Sequence, residues 1–160
     1  FYAPENRAAL VKSPVELIVG TLRQFRVETG EMTPFIVWSR QLGQDLFAPP
    51  NVKGWPGGEA WINSATLLAR KQLLERLFSL PAPRAMPAAL TREGADPRAR
   101  FARALADIRF DAPGWLARYR GDDALLARVV LAAPPSAQAS GGDGTVRLRE
   151  LVLDPVYQLK

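Results

Sequence analysis

Residues 13 to 26 read Ser-Pro-Val-Glu-Leu-Ile-Val-Gly-Thr-Leu-Arg-Gln-Phe-Arg and carry the clearest fold signal in the chain. Ser13 supplies an N-cap hydroxyl, Pro14 takes the first helical position and Glu16 follows the cap by three residues, which is the pattern of a capping box. Apolar residues then recur at helical spacing and predict one buried stripe, formed by Val15, Ile18, Val19, Leu22 and Phe25. The stretch therefore predicts a helix that runs to about Arg26.

The same kinds of signal predict further helices on the C-terminal side. A second helix is expected from Thr33 to near Phe47, and a third from the caps Asn63 and Ser64 to about Leu80. The second helix is expected to line up Phe35, Trp38, Leu42 and Leu46. In the third, Leu67, Leu68, Lys71, Leu74 and Phe78 are expected to fall on adjoining faces. Residues 81–95 are expected to connect this part to helices beginning at Asp96, near Pro113 and at Asp122.

Together these elements predict an all-α fold, an irregular bundle of five to seven helices with one long, ordered loop rich in Trp, Gly and Pro. We expect residues 1–133 to form a helical domain and residues 134–144 a flexible linker or loop. Residues 145–160 are expected to form a C-terminal helical turn and tail, because Leu148, Leu151 and Val152 share helical spacing and Pro155 stops it. At 160 residues the chain is long enough to bury a sizeable core.

Composition excludes several kinds of chemistry. The sequence has no Cys and no His, so disulfides, thiolate or imidazole metal sites and His-based triads are ruled out for this stretch. We expect no metal and no cofactor. The 21 basic and 16 acidic side chains give a net charge of +5, but Arg recurs singly among acidic and small residues, which does not favour nucleic-acid binding. No apolar run reaches the length of a membrane span.

The loop from Phe47 to Asn63 is the most unusual part of the chain, because its Pro and Gly residues cannot continue a helix. Trp55 and Trp61 flank Pro-Gly-Gly in this loop and are candidates for two adjacent aromatic faces. Such faces suit a sugar ring or another small polar ligand. Their polar neighbours in the candidate site are Asn51, Lys53, Glu59 and Asn63. The alternative is that both indoles pack inward and hold the loop against the helices.

Three carboxylates lie near these motifs, namely Glu16, Asp45 and Glu59. Glu16 has a structural role in the capping box, and Glu59 is the one candidate for acid/base chemistry. We identify no catalytic residue and no complete catalytic set, so whether the protein is an enzyme stays open. Four basic residues, Lys12, Arg23, Lys53 and Arg70, are candidates for converging on an anion, or else are helix-surface charges.

Residues 11–23 and 42–70 closely resemble the C-terminal portion of a large bacterial family, the domain-of-unknown-function family numbered 1800. The final residues, 153–160, also look like the end of that family's sequences. The resemblance implies a helical fold and a parent protein of several hundred residues, often exported, with no established activity. It therefore implies an exported or periplasmic location, although this stretch shows no signal segment.

These observations leave two main functional interpretations. The first is a non-catalytic helical scaffold or interaction module, whose partner is the remainder of the parent chain or another protein. The second is the binding of a glycan or cell-surface polymer through Trp55 and Trp61. A third interpretation is that the stretch belongs to an enzyme whose active site lies mainly outside it and borrows Lys53 or Glu59.

Overall fold

The computed structural model describes residues 10–79, 96–138 and 140–160. Within these ranges the chain is all-α, as predicted, with seven α-helices and no strand. The helices are α1 Pro14–Phe25, α2 Thr33–Gln41, α3 Ser64–Phe78, α4 Pro97–Ala106, α5 Ala112–Leu116, α6 Asp123–Val130 and α7 Gly144–Leu153. Short 3-10 turns cover Gly58–Trp61, Ala117–Tyr119 and Pro155–Gln158.

Helix α1 starts with the predicted capping box. The Ser13 hydroxyl accepts from the Glu16 amide at 3.3 Å, and the Ser13 amide donates to the Glu16 carboxylate at 2.8 Å. The helix ends where Arg26 adopts the left-handed conformation, with φ of 53°. Its buried face differs in part from the predicted stripe, because Leu17 and Thr21 are buried whereas Val19 is exposed.

Helix α2 is shorter than predicted and ends at Gln41 rather than near Phe47. Gly43 has φ of +94°, a conformation that interrupts the helix, and the Gln44 amide donates back to the Ser39 carbonyl at 2.9 Å. This is a Schellman-type ending, which satisfies the last carbonyl groups of the helix. Leu46 consequently lies outside the helix and is exposed.

Helix α3 begins as predicted, with the Asn63 side chain accepting from the Thr66 amide at 2.9 Å. Its described residues end at Ser79, so the predicted end near Leu80 and the connection 81–95 lie outside the described residues. The prediction for these faces is wrong for three residues, since Leu67, Leu68 and Lys71 are exposed. The buried residues of α3 are Arg70, Leu73, Leu74 and Leu77. A charged residue therefore occupies a core position.

The core is centred on Phe25, whose ring packs edge-on against Phe78 at 4.7 Å and lies 4.8 Å from the Trp115 indole. Helix α7 contacts α3, α5 and α6 and contributes Leu148, Leu151 and Val152 to this core. The segments before α1 and after α7 meet in an antiparallel bridge between Val11 and Leu159. Both ends of the described chain are thus brought to one side of α3.

Within the described ranges no helix combines the length and the apolar character needed to cross a bilayer.

Candidate functional site

The loop after α2 is fastened to the helices at its first residues. The Gln44 side chain accepts a hydrogen bond from the Val15 amide at 3.1 Å, so it reaches the first turn of α1. The Ser39 hydroxyl donates to the Gln44 carbonyl at 2.6 Å, and Arg40 pairs with Asp45 at 2.8 Å. These contacts fix where the loop leaves the helical body.

The middle of the loop is shaped by its own turns. The Ala48 amide donates to the Asp45 carbonyl at 3.0 Å, the Asn51 side chain accepts from the Lys53 amide at 2.8 Å, and Gly54 donates to the Asn51 carbonyl at 3.0 Å. Backbone groups are thereby satisfied without strand or helix pairing. We call residues 43–57 the apolar loop.

Two large apolar side chains of the apolar loop project into solvent. Phe47 is 96% exposed and Val52 is fully exposed. Phe47 also has φ of +68°, which is unusual for a bulky residue and costs about 1–2 kcal/mol. Leu46 beside it is exposed as well. The loop therefore presents apolar surface at its tip while its base is tied to α1 and α2.

The two tryptophans of the loop have different environments. Trp61 is buried, at 7% exposure, and its carbonyl accepts from the Thr66 hydroxyl at 3.0 Å, which joins the 3-10 turn to α3. Trp55 is half-buried. In the described parts of the chain no ring contact joins the two indoles. They do not form one continuous open aromatic platform.

The polar candidates near the tryptophans differ in exposure and in whether their side chains already form hydrogen bonds. Asn51, Lys53 and Glu59 are exposed, and Asn51 is engaged with the Lys53 backbone. Asn63 is the cap of α3, so its side-chain oxygen is already used. Lys53 and Glu59 remain accessible on the loop surface.

The three carboxylates considered from the sequence are held separately. Asp45 pairs with Arg40, and Glu16 accepts from Ser13 and is also ion-paired with Lys160. Partial burial acts to raise the pKa of Glu16, but the hydrogen bonds from Lys160 and Ser13 outweigh it and lower the pKa below its usual value. Within the described ranges no group of three or more acidic residues is placed to hold a metal ion.

A second cluster, which we call the terminal clamp, consists of Lys12, Arg70, Tyr157 and Gln158. The Arg70 guanidinium is fully buried and donates to the Lys12 carbonyl at 2.9 Å and to the Gln158 side chain at 3.1 Å. The Lys12 amine donates to the Tyr157 carbonyl at 2.6 Å and lies 4.0 Å from the centre of the Tyr157 ring. Arg70 thus joins both ends of the described chain to α3.

Of the four basic candidates, the structure brings together Lys12 and Arg70, whereas Arg23 and Lys53 are exposed elsewhere. Burial lowers the pKa of Lys12 to about 8; the nearby Glu16 raises it and the positive charge of Arg70 lowers it further. Burial also lowers the pKa of Arg70, which keeps its charge at neutral pH.

Sequence reasoning did not find the role of Tyr157 and Gln158 in this cluster. The Tyr157 hydroxyl lies 2.8 Å from the Thr21 hydroxyl in the core, and burial raises the Tyr157 pKa far above its ordinary value, while the Thr21 hydrogen bond lowers it in part. A signal was present, since an aromatic residue just beyond Pro155 suggests an anchored tail. The partner of that anchor could not be read from the sequence.

The fold and this site define an all-α helical module that combines an exposed apolar loop with a buried cationic clamp. The family model described as a protein of unknown function (DUF1800) matches residues 1–141, and the chain belongs to that family. No curated protein and no solved structure matches the chain.

Proposed function

We propose that this chain is a non-catalytic helical interaction module, in which the apolar loop packs against another protein surface. That surface belongs to the remainder of a longer parent chain or to a partner protein. The carrying observation is the exposure of Phe47 and Val52 on a loop whose base is fixed by hydrogen bonds. Large apolar side chains exposed within one short loop are a common feature of interaction sites.

The backbone at Phe47 supports the same proposal. A left-handed conformation is unfavourable for a phenylalanine, so this conformation must be stabilised by what surrounds it. In the described structure the Phe47 ring has almost no covering atoms. Full burial of a Phe side chain contributes about 1.5–3 kcal/mol, which is comparable with that backbone cost or larger.

The placement of the polar groups supports a non-catalytic role. Glu16 and Asp45 are each engaged by basic side chains, and Glu59 is exposed on the 3-10 turn Gly58–Trp61. Acid/base catalysis by a carboxylate pair needs two such groups converging on one substrate position. The described residues offer no such convergence around the loop.

Site-specific photo-crosslinking in the full-length protein tests the proposal. A photoreactive phenylalanine analogue is placed at Phe47, at Val52 or, as a control, at the exposed Gln72 of α3. We expect positions 47 and 52 to give crosslinks to one defined peptide, identified by mass spectrometry, and position 72 to give none to that peptide. Absence of a defined crosslink at 47 and 52 would overturn the proposal.

Glycan binding through Trp55 and Trp61 is the alternative function, and the half-buried Trp55 is the observation that favours it. The burial of Trp61 weighs against it, because a sugar stacks on an open aromatic face. Titration of Trp fluorescence with polysaccharides separates the two. A saturable change that disappears in Trp55→Ala would support glycan binding and contradict our leading proposal.

Two further proposals concern the location of the parent protein and an active site shared with the rest of it. We propose a bacterial parent protein that is exported or periplasmic, which cell fractionation of a strain expressing the full-length gene can test. Participation of Lys53 or Glu59 in an active site completed by other residues is tested by assaying the parent protein with Lys53→Ala or Glu59→Gln. Unchanged rates would remove both residues from consideration.

A further inference from the structure

An apolar groove with a volume of about 630 Å³ lies between α3 and the paired ends of the described chain. Two of its leucines, Leu67 and Leu68, are 48% and 56% exposed. Its other apolar walls are Val11, Ile62, Leu74, Leu153, Pro155 and Leu159. Small-molecule sites typically have volumes of roughly 300–1,000 Å³ and mainly apolar walls with a few polar groups. The groove has the dimensions and lining of such a site.

The polar groups beside the groove are basic or neutral. Gln158 and Lys71 line it, and Lys71 is held only loosely by Glu75 at 3.8 Å. Among the described residues, Arg70 and Lys12 form no ion pair with a carboxylate; their hydrogen-bond acceptors are the neutral groups described above. Of these three cations Lys71 lines the groove, with Glu75 beside it, whereas Lys12 has Glu16 as a neighbour.

Arg70 does not itself line the groove, but residues of its helix on either side of it do. Leu67 and Leu74, one helical turn before and after Arg70, both line the groove. Gln158, which also lines it, accepts the hydrogen bond from Arg70. The Nε atom of Arg70 is buried and has no hydrogen-bond partner. A buried cation without an anion is unfavourable, and a carboxylate is the acceptor that suits a guanidinium best.

We propose that this groove binds a small amphipathic monocarboxylate, a molecule with an unbranched alkyl chain and one carboxylate head. The alkyl chain lies along Leu67, Leu68 and the apolar walls opposite them. The carboxylate takes the place of the Gln158 side-chain oxygen as an acceptor for Arg70, and Lys71 is the cation that lines the groove. The site is separate from the apolar loop and does not depend on the function proposed for it.

The test compares laurate with 1-dodecanol, which has the same alkyl chain and no charge, by isothermal titration calorimetry below the aggregation concentration of either. We expect the purified protein to bind laurate at least tenfold more tightly than dodecanol, because only laurate supplies an anion to Arg70. Equal affinities, or no binding of laurate, would overturn the proposal.

Three variants locate the site. Leu68→Glu places a charge in the groove at an exposed position and is expected to abolish laurate binding, whereas Leu125→Glu, at an exposed position of α6, is expected to leave it unchanged. Gln158→Glu supplies an internal carboxylate to Arg70 with nearly the same shape. It is expected to weaken laurate binding at least tenfold and leave dodecanol binding unchanged.

The variants test separately where the ligand binds and whether Arg70 recognises its carboxylate, and each is used only if it folds. Circular dichroism and thermal unfolding of each variant confirm that it is native before titration. Laurate binding that survives Leu68→Glu would place the ligand elsewhere, and binding that survives Gln158→Glu would show that Arg70 does not recognise the head group. Either result would contradict the inference.

Discussion

The apolar loop and the terminal clamp reverse the usual distribution of side chains. The apolar loop exposes Phe47 and Val52, whereas the terminal clamp buries the charged side chain of Arg70 completely. The loop satisfies its backbone by short local turns, while the clamp uses Arg70 to connect segments far apart in sequence. The difference indicates that the clamp stabilises the fold and that the loop remains available for contact.

The largest expected effect is on the clamp. Replacing Arg70 by Ala leaves the Lys12 carbonyl and the Gln158 side chain without their donor and opens a cavity in the core. We expect Arg70→Ala to lower the free energy of unfolding by about 3 kcal/mol, measured by chemical denaturation.

The matched control for that variant is Arg76→Ala, an exposed arginine on the same helix. It is expected to change the free energy of unfolding by less than about 0.5 kcal/mol. If the two variants had equal effects, the terminal clamp would not stabilise the fold, and it would not differ from the apolar loop in that respect.

The next effect depends on pH and involves Lys12. Its pKa is lowered to about 8 in the folded protein from 10.5, so between these values the unfolded chain binds more protons than the folded one. The free energy of unfolding therefore gains a contribution that rises as pH increases from about 8 to 10, and is flat below about 7. We expect this rise in the wild type and not in Lys12→Met, so their difference changes with pH. A difference independent of pH would show that Lys12 is not desolvated.

A smaller effect is expected where the apolar loop begins. Gly43 has φ of +94° and no atom within 4 Å of an added Cβ, so Gly43→Ala meets only backbone strain. We expect it to lower the free energy of unfolding by about 1 kcal/mol. Gly20, inside α1 and equally open, is the control, and Gly20→Ala is expected to stabilise the protein by about 0.5–1 kcal/mol. Stabilisation by both substitutions would contradict the assigned end of α2.

The smallest effect on stability is expected at the tip of the apolar loop. The double substitution Phe47→Ser and Val52→Ser removes side chains that are already in water. Its free energy of unfolding is expected to stay within about 0.5 kcal/mol of the wild type in denaturant titrations. A large loss would mean that these side chains are packed in solution, and the loop would then resemble the clamp.

The helix starts were predictable from sequence because their signals are local. Ser13, Asn63 and Asp96 each accept from backbone amides two or three residues away, so the pattern and the contact coincide. The helical spacing of Leu42 and Leu46 predicts an end of α2 near Phe47, several residues beyond its actual end, because Gly43 interrupts the helix inside that run. The buried faces of α1 and α3 were also assigned incorrectly in part, because apolar residues occur on more than one side of each helix.

The candidate site was predictable as a stretch of sequence but not as an arrangement. Residues 47 to 63 were correctly expected to depart from regular helix, because Pro and Gly act on their own backbone. Which aromatic residues face solvent was not predictable. Trp61 is covered and Phe47 is not, although both are large apolar residues in the same stretch.

The sequence by itself determined the all-α class, the caps that begin the helices and the position of the long loop, because each depends on residues within a few positions of one another. The tertiary structure alone decided that Arg70 lies in the core. Its hydrogen-bond acceptors are 58 and 88 residues away in sequence, and the sequence of α3 gives no indication of them. Burial of a charge depends on which distant polar groups can satisfy it, so only the folded chain fixes that outcome.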